Sequence, residues 1–156
     1  MTNTAIKETD VYDRYCNKIL ELGENDLNEV LVASPILEEY IRKKYPKYKI
    51  IKSIISTEQD ENYLAMVDKY EKIVFPRRLL KNYNYLFNEI PYEYRNKFEL
   101  LCNDSCPINC KNLYNHYKSY AKFNLYEKSV EEMIDPMSCP IYNSTSLFPL
   151  MDTINE

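Results

Sequence analysis

The stretch EVLVASPILEEYIRKKYPKYKII, residues 29–51, decides the fold. EVLVA (29–33) is a short, nearly continuous apolar run, which is typical of a strand buried on both faces. Ser34 can cap a helix with Pro35 in its first turn, and that helix has its acids early and its bases late. A proline then stops the helix, and a second β-rich run, YKIIKSII (48–55), follows. Strand, helix and strand in this order predict one βαβ unit.

The same alternation continues on both sides of this unit. Upstream, Asp10 can cap a helix over 10–24, which places Val11, Tyr15, Ile19 and Leu22 at helical spacing. Downstream, the pattern predicts helices over 58–69, 76–89 and 107–123 and strands over 72–75 and 98–102. The fold class is therefore α/β: four β/α units with a parallel sheet, as a small open sheet or as half of a (β/α)8 barrel. We expect a single domain over 1–156, with a core over about 10–122 and an irregular tail over about 123–156.

The composition excludes several classes of function. The net charge of −4 and the pI near 5.2 give no global basic field, so we expect no general nucleic-acid binding. No apolar run approaches ~18 residues, which excludes a membrane span. MTNTAIKETDVYDRY (1–15) lacks the basic start and apolar centre of a signal peptide, so we expect a cytoplasmic protein. A single glycine excludes a glycine-rich phosphate loop. No nucleophile signature surrounds the lone histidine, His116, which makes a stand-alone hydrolase the least favoured class.

One loop concentrates residues that can carry chemistry. NDSCPINCKNLYNH (103–116) places Cys106 and Cys110 four residues apart, with His116 six residues further on. Five cysteines in a reducing compartment do not indicate a disulfide framework. The two cysteines are either small buried apolar side chains or thiolate ligands of zinc or an iron–sulfur cluster. His116 is likewise either a packed helical residue or an imidazole ligand.

Three strings together carry a resemblance to a known family: YCNKIL (15–20), NEVLVASPILEEYIRKKYPKYKII (28–51) and ELLCNDSCPINCKNLYNHY (99–117). Over about residues 2–145 the chain resembles the C-terminal half of a poorly characterised bacterial TIM-barrel family. That family is related to U32 peptidase-like and radical-SAM-like proteins. The U32-like relatives often carry a four-cysteine cluster, so the resemblance implies an iron–sulfur site at Cys106, Cys110 and Cys139, with His116 as a further candidate ligand.

Two classes of function follow, and the sequence leaves open whether the chain is an enzyme. In the first, the chain is a metal- or iron–sulfur-binding half barrel, a remnant or subunit of a U32-like or radical-SAM-like enzyme. In the second, it is a non-catalytic interaction module, such as a phage-type inhibitor (an anti-defence protein) of a host complex, which suits its acidic, tyrosine-rich composition. Both predict a protein partner or a homo-oligomer, because a half barrel leaves open sheet edges.

Overall fold

The computed structural model describes residues 3–58, 60–82, 84–102, 110 and 112–125. They form an α/β fold with a four-stranded, all-parallel sheet whose strands lie in chain order. The strands are β1 (Glu29–Val32), β2 (Lys49–Lys52), β3 (Lys72–Val74) and β4 (Phe98–Glu99). The predicted fold class, four β/α units like half of a β/α barrel, is confirmed. Most of the predicted tail, residues 126–156, lies outside the described residues.

The first βαβ unit forms as its sequence predicts. Helix α2 (Pro35–Lys44) begins after Ser34, whose hydroxyl accepts a hydrogen bond from Leu37 N at 3.4 Å. Strands β1 and β2 then pair in parallel from Glu29 opposite Lys49 to Val32 opposite Lys52. The expectation that β1 is buried on both faces is wrong. Leu31 is 50% exposed while Val32 is fully buried, because β1 is an edge strand.

The first helix, α1 (Arg14–Gly23), starts later than predicted. Asp10 lies in a 3-10 turn, Asp10–Tyr12, and its carboxylate accepts a hydrogen bond from Lys7 N at 2.9 Å. Asp13 caps α1 instead, accepting from Cys16 N at 2.7 Å. Because that bond stabilises the charged form, it holds the pKa of the Asp13 carboxyl below its ordinary value.

Beyond β2 the helical segments are shorter than the hydrophobic pattern predicts. The segment before β3 folds as helix α3 (Ile54–Thr57) and a 3-10 helix (Tyr63–Lys69). The segment before β4 forms a 3-10 turn (Arg77–Leu79), a π-helix (Tyr85–Glu89) and a second 3-10 helix (Tyr92–Lys97). Polar side chains interrupt both segments, since Asp60 accepts from Asn62 N at 2.8 Å and Asn82 from Tyr85 N at 3.0 Å.

The core lies on the face of the sheet that α2 covers. Alternate strand residues point into it, and it contains Val32, Ile41, Tyr45, Ile50, Val67, Tyr70 and Ile73. A second cluster of Tyr63, Phe75 and Ile90 continues it, with the rings of Tyr63 and Phe75 edge-on at 5.8 Å. Arg77, two residues after Phe75, is only 1% exposed. The first strand pair and its helix are thus fixed by apolar burial on one side of the sheet.

The backbone divides into two compact units. Residues 3–100 form one unit, which contains the sheet, and the other contains residues 101–156 with the first two residues. In the latter the structure describes residues 101, 102, 110 and 112–125, including helix α4 (Leu113–Asn124), which buries Leu113 and Ala121. The single domain over 1–156 stays a prediction. None of the helices in the described part of the chain is long and apolar enough to cross a bilayer.

Candidate functional site

The structure describes two of the four predicted metal ligands, while Cys106 and Cys139 lie outside the described residues. Cys110 is half-buried just ahead of α4, and its carbonyl accepts a hydrogen bond from Leu113 N at 3.2 Å. The ring of His116, in α4, packs on Tyr120 with the ring centroids 4.9 Å apart. Among the described residues, no three His, Cys, Asp or Glu side chains are grouped to hold a metal ion. The iron–sulfur or zinc site therefore stays a prediction.

A polar cluster lies at the carboxyl end of β2, the edge of the sheet where α/β folds build their sites. Lys52, the last residue of β2, is only 8% exposed, and its Nζ donates to Glu38 Oε2 at 3.1 Å. The Tyr70 hydroxyl donates to the same oxygen at 2.9 Å, and Arg42 Nε donates to Glu38 Oε1 at 3.1 Å. One carboxylate on α2 is thus held by three donors from α2, β2 and the segment before β3.

Both members of the central ion pair are stabilised in their charged forms. Burial alone would raise the pKa of Glu38, but hydrogen bonds from Tyr70, Lys52 and Arg42 outweigh it and hold that pKa below its ordinary value. Burial alone would lower the pKa of Lys52, but hydrogen bonds with Tyr70 and Glu38 raise it. The Lys52 ammonium also lies 5.1 Å from the centroid of the Tyr70 ring.

The pKa shifts of Glu38 and Lys52 argue against a catalytic role for this cluster. A general acid or base needs a pKa near the working pH, and the pKa values of Glu38 and Lys52 move away from neutrality. The groove beside the cluster, about 600 Å³ in volume, is open and also lined by Pro35, Glu39 and Lys43. We therefore interpret the cluster as a structural tie that holds α2 on β2. Its sequence signal is a lysine that ends a buried apolar strand.

Helix α1 packs on the protein through the side that carries Asn17 and Leu20. Asn17 is the centre of that contact, and its Oδ1 accepts hydrogen bonds from Tyr40 (2.5 Å), Tyr45 (2.8 Å) and Lys44 (2.8 Å). Its Nδ2 donates back to the carbonyls of Val11 and Asp13, each at 2.7 Å. These bonds fix the rotation of α1 about its own axis.

The opposite side of α1 is apolar and faces solvent. Tyr15 is 76% exposed, Ile19 55% and Leu22 75%, and Tyr12, just ahead of the helix, is 74% exposed. These four residues are called the α1 apolar face below. Tyr15, Ile19 and Leu22 share the spacing that ordinarily marks the buried side of a helix, while the Tyr12 ring, in the preceding 3-10 turn, lies edge-on to Tyr40 at 6.0 Å. The sequence pattern identified the stripe, but of the four residues predicted at helical spacing only Val11 is buried.

Comparison with known proteins gives no relative from which a function could be inferred. No protein-family model, no curated protein and no solved structure matches the chain.

Proposed function

We propose that this chain is a non-catalytic protein-interaction module that docks on another protein chain through the α1 apolar face. The observation that carries the proposal is the outward orientation of Tyr15, Ile19 and Leu22 on a helix whose opposite side already packs on the protein through Asn17 and Leu20. A helix surface with this spacing is the kind that a protein partner covers. The proposal belongs to the second of the two classes of function that the sequence leaves open.

The size of the exposed surface supports the proposal. Taking ~200 Å² for a large apolar side chain, the four residues of the α1 apolar face expose roughly 550 Å². That is at the upper end of the ~300–600 Å² found for the largest apolar patch of a typical monomer, and such patches are often functional. Leu27, in the loop after α1, is 88% exposed and lies only five residues beyond Leu22. Burying this area would remove a large unfavourable contact with water.

The orientation of α1 also supports the proposal. Turning the helix to bury the apolar face would break the bonds of Asn17 with Tyr40, Tyr45 and Lys44. It would also break the bond from the Tyr48 hydroxyl to the Leu20 carbonyl, at 2.8 Å. The face is therefore presented by a fixed helix, which lowers the ordering cost of binding. We place the module in the cytoplasm, where a thiol such as the exposed Cys16 on the same helix stays reduced.

Photo-crosslinking in cells tests the proposal. A photoreactive phenylalanine analogue in place of Tyr15 or Leu22 should form a discrete covalent adduct with another protein chain. The matched control carries the analogue in place of Tyr92, which is 82% exposed but lies in the segment before β4. Position 92 should give no comparable adduct.

The crosslinking experiment has one result that supports the proposal and two that refute it. Adducts at positions 15 and 22 that exceed those at 92 support the interaction module, whichever protein is captured. Equal labelling at all three positions, or no adduct at 15 and 22, would overturn it.

A further inference from the structure

We infer that the occupant of the α1 apolar face is a second copy of this chain, paired with the first about a twofold axis. This inference rests on the proposed function and names the partner of that same surface. A twofold interface places the same patch on both protomers, so the patch must be complementary to itself in shape, charge and area.

The spacing of the face fits a second helix of the same kind. Within α1, Tyr15, Ile19 and Leu22 follow intervals of four and three residues. This is the repeat by which side chains of one helix insert between those of another. Because the exposed residues combine two tyrosines with an isoleucine and a leucine, rings of one copy can pack on the aliphatic side chains of the other.

The charges beside the face permit self-association. The flanking residues Asp13, Arg14, Lys18 and Glu21 carry two negative and two positive charges, and Lys18 pairs with Glu21 at 3.1 Å. A surface of one sign would repel its own copy, whereas this mixed flank does not. Although the whole chain carries a net charge of −4, the flank of this face is neutral overall. Two copies therefore meet there without repulsion between like charges.

The exposed apolar area comes close to what a stable dimer needs. Taking ~200 Å² for a large apolar side chain, the α1 apolar face together with Leu27 exposes roughly 700 Å². A standard interface buries ~800 Å² on each partner. Apolar side chains therefore account for most of the surface that a dimer of this chain would need, and their polar neighbours provide the rim.

Sedimentation velocity over a range of protein concentrations tests this inference, with a monomer mass of 18.7 kDa as the reference. Wild type should sediment at twice the monomer mass. The double variant Ile19→Asp/Leu22→Asp should weaken the dimer by roughly a hundredfold or more, since central apolar contacts carry most of an interface's binding energy. The control Phe87→Asp/Tyr92→Asp places the same charges on two other exposed aromatic positions and should stay dimeric.

Two controls and two refuting outcomes complete the experiment. Circular dichroism must show that each variant is folded, and Ile19→Leu/Leu22→Ile, which keeps the surface apolar, should remain a dimer. A monomeric wild type at about 100 µM, well above a micromolar Kd, would overturn the inference. A dimer that the double Asp variant leaves intact would also overturn it. Neither result would overturn the interaction module, because crosslinks from positions 15 and 22 to a different protein would still support it.

Discussion

Lys52 and Lys49 provide a matched test of how the sheet holds helix α2. Both lysines lie in β2, and each forms an ion pair with a glutamate. Lys52 Nζ lies 3.1 Å from Glu38, with side chains only 10% and 16% exposed. Lys49 Nζ lies 3.3 Å from Glu71, with side chains 43% and 40% exposed. We predict that Lys52→Met destabilises the fold far more than Lys49→Met.

The magnitudes follow from what each substitution leaves behind. Removing one member of a fully buried ion pair costs about 3–5 kcal/mol. Glu38 keeps two of its donors, Tyr70 and Arg42, so we expect Lys52→Met to cost about 2 kcal/mol, including the lost contact with the Tyr70 ring. An exposed pair is worth about 0.2–1 kcal/mol, which bounds the cost of Lys49→Met.

Urea denaturation followed by circular dichroism measures both costs. Lys52→Met should lower the urea midpoint with little change in the slope of the transition. The double variant Glu38→Gln/Lys52→Met should cost less than the sum of its single variants, because it leaves no carboxylate without its main partner. Equal costs for Lys52→Met and Lys49→Met, or strict additivity in the double variant, would refute this account of the cluster.

Three other predictions concern separate parts of the chain. Because the pKa of Glu38 is lowered in the folded protein, its contribution to stability is present above the unfolded pKa and is lost as the pH falls through the folded pKa. Glu38→Gln should therefore flatten the fall of the unfolding free energy below about pH 5, and an unchanged fall would contradict this. Asn3→Ala should cost about 1–2 kcal/mol and speed hydrogen exchange at the Ala33 amide, which donates to Asn3 Oδ1 at 2.6 Å; unchanged exchange would count against it. If the cysteine loop is a metal site, protein purified without oxygen should contain near-stoichiometric zinc, or iron with sulfide, that both Cys106→Ala and Cys110→Ala lose. A folded, metal-free protein would contradict the metal site and indicate that these cysteines are structural.

Local signals predict the parts of this fold that local interactions control. The unit from β1 to β2 follows from a cap at Ser34, a proline at position 35 and two apolar runs, and its elements form within a few residues of the prediction. The later helices share the same apolar spacing but contain Asp60 and Asn82, whose side chains accept backbone hydrogen bonds. Those bonds compete with a continuous helix, so periodicity alone overestimates helix length there.

Periodicity also cannot tell which way an amphipathic helix faces. The stripe Tyr15, Ile19 and Leu22 was visible in the sequence, but its exposure depends on Asn17, whose partners lie 23 to 28 residues away. The Lys52–Glu38 pair is also non-local, since it joins a strand to the helix before it, 14 residues away. Sequence patterns therefore locate such surfaces, while long-range hydrogen bonds decide whether they are buried.

The free edge of β1 and the α1 apolar face favour different modes of recognition, and the structure distinguishes them. An edge strand invites strand addition through its free backbone groups. On β1, the Asn3 amide already donates to the Leu31 carbonyl at 3.0 Å and accepts from the amides of Ala33 and Ser34 at 2.6 and 3.1 Å. An added strand would have to displace these bonds and gain only equivalent ones. At the α1 apolar face a partner would not have to displace hydrogen bonds of this kind. Docking there therefore buries apolar surface without breaking hydrogen bonds within the chain. The expected partner should therefore be held by side-chain packing on α1, and substitutions at Asn3 should affect stability while leaving the dimer intact.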